Sequence, residues 1–391
     1  MLCLQSARLF RVFIAAFLFS FLVLSIVYNR TVLLRPGSLS NIFSKGSTSN
    51  HGISSTVSGV NGSSLLSAAW WTSEIKTPRF AYVQYTTHAD YMCNAMINVH
   101  KLERLEVQAD IVIMYPSVWD GKVKNGQAWL TKKIIPTLAN SHSLQSPDSR
   151  EAKLLAAARL RFPRLILKPV DILSTSSGDA TWRDSLTKFQ AFRLTDYTRV
   201  LSFDSDSLVL NNMDHLFLSP KCQLAVPRAY WLNDPHAALG EQVLASHIML
   251  LEPDDRIYER IEQEAKRTGD FDMEIVNHLF NNSAMILPHR RLALLTGEFR
   301  STDHQMYLEG EGANEWNAHA ELSRAFFVHF SDWPLPKPWK SHTEQQWNAA
   351  VPACVDEKKT YTDRPPCADR SSWLSVYGEY EDVRKNTCSI Q

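Results

Sequence analysis

The sequence carries no excess of charge of either sign: 41 Lys and Arg balance 41 Asp and Glu over 391 residues. Nucleic-acid binders normally show a basic surplus or a basic stripe, so that class is set aside and no nucleic-acid partner is expected. The six cysteines (Cys3, Cys93, Cys222, Cys354, Cys367 and Cys388) include no C-x-x-C pair, which removes the usual zinc and redox motifs. Neither a G-x-G-x-x-G nor a P-loop occurs, so the diphosphate of any bound nucleotide must be held by other means. No internal repeat is found, which excludes solenoids and propellers. The aromatic content, by contrast, is high, with 11 Trp and 12 Tyr. Such residues suit flat ligand clefts, but they are also ordinary core material.

The N-terminal end is the most apolar part of the chain. Val12 to Tyr28 reads VFIAAFLFSFLVLSIVY without a charge, flanked by Arg8 and Arg11 before it and Arg30 and Arg35 after it. Its length lies at the lower limit of a spanning helix, roughly 17 residues. It is longer than a signal-peptide core and lacks a small-x-small cleavage site, so it reads as an uncleaved signal anchor suited to thin early secretory membranes. The expected organisation is a cytoplasmic tail over 1–11, the anchor over 12–28 and a stem over 29–69. A catalytic domain is expected over 70–340 and a C-terminal extension over 341–391. The stem expectation rests on the Ser, Gly, Asn and Thr that fill Gly37 to Ser64, which cannot bury a core. Sequons at Asn29, Asn61 and Asn281 give weak support to a lumenal domain. Cys354, Cys367 and Cys388 crowd the C-terminal end, where a bridge is expected if the domain is lumenal, while Cys93 reads as a buried helical thiol.

The domain itself alternates two periodicities. Phe80 to Tyr85, Ile111 to Tyr115, Leu165 to Leu167 and Arg199 to Phe203 read as strands. Tyr91 to Leu105, Lys153 to Leu160 and Trp182 to Leu194 read as helices, the last amphipathic. The alternation implies an α/β domain with a mostly parallel sheet and helices on both faces. Ligands in such sheets bind beyond the carboxyl ends of the strands.

One strand end carries chemistry. Val200-Leu-Ser-Phe-Asp-Ser-Asp-Ser-Leu-Val-Leu closes an apolar run on Asp204 and Asp206. On a strand, residues i and i+2 point the same way, so the two carboxylates would repel unless a cation lay between them. A hard divalent ion takes oxygen ligands and bridges to phosphates. Taken alone D-x-D is a weak signal, and haloacid-dehalogenase-type phosphatases end a strand in a similar pattern, although Ser207-Leu208 fits them poorly.

A longer stretch is far more specific. Leu186-Thr-Lys, a helix, the D-x-D and then Leu208-Val-Leu-Asn-Asn-Met-Asp-His-Leu-Phe together resemble the core of glycogenin and related family-8 glycosyltransferases. Val328-His-Phe-Ser-Asp-Trp-Pro-Leu-Pro-Lys-Pro-Trp resembles that family's H-F-x-G-x-x-K-P-W segment, and the likeness runs from about Phe80 to Trp339. The resemblance implies a GT-A (Rossmann-like) domain, Mn²⁺ or another divalent cation, a UDP-sugar donor and retention of anomeric configuration. Residue by residue it implies metal ligands at Asp204, Asp206 and His329 and diphosphate contacts at Lys188 and Lys337. It also implies uridine contacts at Tyr85, Thr87 and Tyr91, with His88 where the family has Asn. Asp272 falls at the position beside the anomeric carbon, as nucleophile or charge stabiliser. Met273 and Ala245-Ser-His depart from the family pattern, which puts the identity of the sugar in question. Outside the resemblance, His329 among Phe326, Phe327 and Phe330 reads as a packed core histidine, and His289-Arg-Arg as a solvated surface run.

Asn277-His-Leu-Phe, Ala284 to Arg291 and Leu295-Thr-Gly-Glu-Phe-Arg are closest in flavour to fungal Golgi α-N-acetylglucosaminyltransferases. The resemblance thus implies a type II Golgi membrane enzyme moving N-acetylglucosamine to a mannose-containing glycan. A donor-binding Golgi scaffold without turnover and a lumenal phosphatase stand as the rival readings. The sequence leaves the oligomeric state open.

Overall fold

The computed structural model describes residues 77–120, 149–175, 182–233, 241–309, 315–354 and 367–389. The expected tail, anchor and stem, with the sequons at Asn29 and Asn61, lie outside the described residues. Among the described residues no helix is long and apolar enough to cross a membrane.

The described residues begin with two parallel strands joined by a helix: β1 (Phe80–Tyr85), α1 (Ala89–Arg104) and β2 (Asp110–Pro116). The central residues of both strands are buried on both faces, which explains their unbroken apolar runs. The next helix, α2 (Arg150–Arg161), starts where Ser149 accepts a hydrogen bond from the Ala152 amide at 3.1 Å. It leads into β3 (Leu165–Val170). A further strand, β4 (Arg199–Phe203), pairs parallel with β1 on its other side.

Beyond β4 the direction changes. The strands β5 (Ser207–Val209), β6 (Leu224–Pro227) and β7 (Ile248–Leu251) follow, and β7 runs antiparallel to both β4 and β6. Next come α3 (Asp255–Thr268), α4 (Asp272–Phe280), β8 (Met285–Leu287), β9 (Leu294–Leu295) and β10 (Phe327–His329). The long C-terminal helix α5 covers Ala368–Cys388. Strands β3-β2-β1-β4-β7-β6-β8 form a seven-stranded, mostly parallel sheet, and β5-β10-β9 a small second sheet. The α/β class with a Rossmann-like parallel half is therefore met, with β7 as the antiparallel exception.

Two apolar layers sandwich the large sheet. One includes residues of α1, α2, the small sheet and α5, and the other the 185–192 segment, α3 and α4. The segment expected as an amphipathic helix over 182–194 is instead a 3₁₀ helix over Ser185–Arg193. Residues 185–192 are all buried, so no solvent face is left to amphipathicity and tertiary packing sets the geometry.

The C-terminal residues pack back onto the domain. Cys388 is bridged to Cys93 in α1, which corrects the reading of Cys93 as a free thiol: periodicity shows that a cysteine is buried, not what it meets. Tyr380 donates to Asn94 at 2.7 Å, and Lys101 pairs with Glu379 along the same contact. The bridge expected in the C-terminal end is Cys354–Cys367.

Candidate active site

The two aspartates do not sit on one strand. Strand β4 ends at Phe203, and Asp204 and Asp206 lie in the link that carries the chain from the large sheet to the small one. Strand alternation is therefore not what brings them together. The backbone of the link is pinned instead: the Asp204 amide donates to the His247 carbonyl at 2.9 Å and the Phe330 amide to the Asp206 carbonyl at 3.1 Å. The Ser205 hydroxyl donates to the Tyr85 carbonyl at 3.2 Å, tying the link to the end of β1.

Sheet register supplies the third group. Strand β10 pairs antiparallel with β5, with His329 opposite Ser207, so its imidazole lands beside Asp206 with Nε2 3.3 Å from Oδ1. One oxygen or nitrogen from each of Asp204, Asp206 and His329 lies within 4.8 Å of the others. Burial holds the His329 pKa below the usual imidazole value, so the ring is neutral, the form that ligates metal. Two carboxylates and a neutral imidazole fit a hard divalent cation such as Mn²⁺.

Two buried or half-buried lysines frame this group. Lys188 is 2% exposed, with Nζ 2.8 Å from Asp204 Oδ1 and 2.5 Å from Asp272 Oδ2. Burial opposes its charge, yet the two carboxylates outweigh that cost and hold its pKa above the ordinary lysine value. Lys337 reaches Asp206 Oδ2 at 2.7 Å and donates to the Phe330 carbonyl. Asp272 is the first residue of α4, where the helix N-terminus favours an anion, and it accepts from the Ser246 hydroxyl at 2.6 Å. Burial works against the Asp272 charge, but Lys188 and Ser246 hold its pKa below the usual value. Asp204 goes the other way: burial, then the neighbouring Asp206 and Asp272, push it up to about 7 against the pull of Lys188. Three carboxyl groups, one of them raised toward neutral pH, thus face two ammonium groups in the site.

The loop that presents Lys337 is held from behind. Asp332 accepts from Trp373 Nε1 at 3.2 Å and from the Tyr377 hydroxyl at 2.8 Å, both on α5, and Arg300 lies 3.5 Å away. Thr296 accepts from the Ser331 amide at 2.8 Å. A Cβ at Gly297 would stand 3.1 Å from the Ser331 carbonyl oxygen, a tight contact. The C-terminal extension, which the sequence left without a chemical role, thus buttresses the His329–Lys337 loop.

All nine residues singled out from the sequence meet in one cavity of about 850 Å³: Tyr85, Thr87, Tyr91, Lys188, Asp204, Asp206, Asp272, His329 and Lys337. Tyr91 stands edge-on to Trp339 at 5.3 Å and beside His88 at 4.4 Å between ring centres. The Lys188 ammonium stands 5.7 Å from the Tyr85 ring centre. Sequence reasoning missed Ser246, Trp231, Tyr230 and Glu298, which line the same cavity. Glu298 and Ser246 lay inside segments already singled out, but no spacing rule pointed to them. The His289-Arg-Arg run is not the solvated surface it resembles. His289 and Arg290 are buried, and Arg290 forms a buried pair with Glu321 at 2.6 Å, while Arg291 alone is exposed. None of the three lines the cavity.

No family model matches the chain. Among proteins of known name, it is 41% identical over 312 residues to glucose N-acetyltransferase 1 of Gibberella zeae, covering 79% of this chain and 62% of that protein. The chain therefore spans less than two thirds of that relative's length. It is 33% identical over 327 residues to glucose N-acetyltransferase 1 of Aspergillus fumigatus, covering 80% of this chain and 78% of that protein. Among solved structures, the galactosyltransferase LgtC in complex with donor and acceptor sugar analogues aligns at 12% identity with a TM-score of 0.46, over 71% of this chain and 98% of that one.

Proposed function

Because the chain belongs to the family of the fungal glucose N-acetyltransferase 1 proteins, we propose that it is a metal-dependent GT-A glycosyltransferase. In this reading it moves N-acetylglucosamine from a UDP donor to a mannose-containing glycan, with retention. The observation that carries the reading is the convergence of Asp204, Asp206 and His329 within 4.8 Å, beside two lysines. Asp204, Asp206 and His329 would hold Mn²⁺. The ion, when bound, supplies Lewis-acid neutralisation of the departing diphosphate.

The chain's own groups do the rest. Lys337, on a loop stiffened by Pro334, Pro336 and Pro338, is placed to pair with the diphosphate. Tyr85, Thr87 and Tyr91 would flank the base at the end of β1 and the start of α1. Asp272 would offer fixed negative charge next to the reacting carbon. Its Oδ2 already accepts from Lys188 and Ser246, which lowers its nucleophilicity and favours electrostatic stabilisation over a covalent step.

The proposal includes a type II Golgi membrane enzyme anchored by residues 12–28 with a lumenal domain. The two disulfides, Cys93–Cys388 and Cys354–Cys367, support an oxidising compartment.

The test is UDP release by the purified chain with Mn²⁺ and UDP-N-acetylglucosamine, beside the Asp206→Asn variant. The expected loss is about 100-fold or more in turnover, equivalent to ~2.7 kcal/mol of barrier. Unchanged release in Asp206→Asn would sink the metal site. Release of inorganic phosphate would favour a phosphatase, and tight UDP binding without turnover a scaffold.

A further inference from the structure

We propose that Glu298, Tyr230 and Trp231 form the subsite for the acceptor saccharide, an inference that rests on the transferase reading above. The three line the same cavity as the aspartates but take no part in the cation group. They come from the chain after β6 and after β9, whereas the groups assigned to nucleotide and diphosphate come from the β1–α1 region, the Ser185–Arg193 segment, the β4–β5 link and the β10 loop.

Glu298 is 8% exposed and held by His304, whose Nδ1 is 2.6 Å from Oε1. His304 is itself fixed by stacking on Trp316, with ring centres 4.1 Å apart and planes 10° from parallel. This carboxylate cannot slide toward the lysines, and its charge repels a phosphate. What it can do is accept a hydrogen bond.

Tyr230 supplies the complementary group. It is 4% exposed, and burial together with the adjacent Glu298 carboxylate keeps its hydroxyl protonated, yet the hydroxyl makes no hydrogen bond of standard geometry. A buried hydroxyl left without a partner is a standing cost, which an occupant of the cavity can relieve. An occupant that donates to Glu298 and accepts from Tyr230 would satisfy both groups. A sugar hydroxyl does both. Trp231, 39% exposed and packed edge-on against Tyr230 at 5.3 Å, offers the apolar face on which a pyranose ring can lie.

The probe is α-1,2-mannobiose, a neutral saccharide, titrated into the full chain holding Mn²⁺ and UDP and followed by tryptophan fluorescence. Wild type should bind it saturably. Glu298→Gln, Tyr230→Phe and Trp231→Ala should each weaken it by roughly tenfold, the equivalent of 1.4 kcal/mol. In transfer assays the acceptor KM should rise while the donor KM does not follow. Tyr230→Phe is the discriminating variant. Its hydroxyl lies by Glu298 but makes no hydrogen bond of standard geometry, so the ligand-free protein should melt little lower than wild type even as mannobiose binding weakens.

The assignment is overturned if wild type shows no saturable binding, or if the variants bind mannobiose as wild type does. It is also overturned if the donor KM rises and the acceptor KM stays put, which would make this a donor subsite. The transferase reading fails separately, if wild type releases no UDP from any UDP-sugar in Mn²⁺.

Discussion

Lys188→Met removes the cation at the centre of the site and keeps most of its volume. In the wild type the ammonium is 2% exposed and bridges Asp204 and Asp272 at 2.8 and 2.5 Å. At an effective dielectric near 20, each contact is a gross attraction of roughly 6 kcal/mol, most of which offsets the cost of burying the charges. The net loss on deleting one member of such a buried group is about 3–5 kcal/mol, because the remaining charges are stranded. For a domain of this size that corresponds to a fall in melting temperature of roughly 5–10 °C.

The pH dependence has a definite sign. Burial and the nearby carboxylates push Asp204 up to about 7, above its unfolded value, so the folded state loses stability as pH rises through that window. Without Lys188 the opposing pull is gone. The gap between variant and wild type should therefore be smaller near pH 5.5 than at pH 8. Saturating Mn²⁺ should raise the melting temperature of the variant more than that of wild type, since the ion then supplies the missing positive charge. Thermal melts by circular dichroism at the two pH values, with and without Mn²⁺, read all of this. A melting temperature within about one degree of wild type at pH 8 would refute the reasoning, because ~3 kcal/mol cannot hide in so small a shift.

Two further perturbations probe the frame around the site. Cys388→Ser opens a bridge spanning 295 residues, for which the chain-entropy account gives about 5 kcal/mol as an upper figure and ~2–4 kcal/mol as the usual outcome. The melt of wild type in reductant should fall to a similar extent, whereas a reductant-insensitive melt would argue that α5 is held by packing alone. Arg290→Met should cost ~3–5 kcal/mol by stranding buried Glu321, while the double variant Arg290→Met with Glu321→Met should recover most of it. A double variant as unstable as the single one would show that the pair is not a self-contained unit.

Much of this protein follows from local pattern. The strands β1 and β4 are found at the positions their apolar runs imply, because a strand buried on both faces has no other way to satisfy a continuous hydrophobic segment. Asp204 and Asp206, two residues apart at the end of an apolar run, were recognisable locally, and the His329–Lys337 loop through its likeness to the family segment. Long-range partners were not. The apolar setting of Cys93 states that it is buried, and only the packing of α5 against α1 decides that Cys388 meets it. Likewise Arg290 reads as part of a solvated run until Glu321 arrives to neutralise it in the interior.

The site shows the same division. The family resemblance supplied the chemical groups, since D-x-D alone is a weak signal and His329 alone reads as a packed core histidine. Local pattern supplied a wrong reason for their convergence, strand alternation, when the aspartates in fact sit in the link between two sheets. Their meeting with His329 is decided by the β5–β10 register, and their ionisation by burial beside Lys188 and Lys337. The pairing of Glu298 with His304 and the unpartnered Tyr230 hydroxyl were invisible for the same physical reason. Hydrogen bonding and desolvation depend on which surfaces the folded chain brings together, and no periodicity within a single segment encodes that.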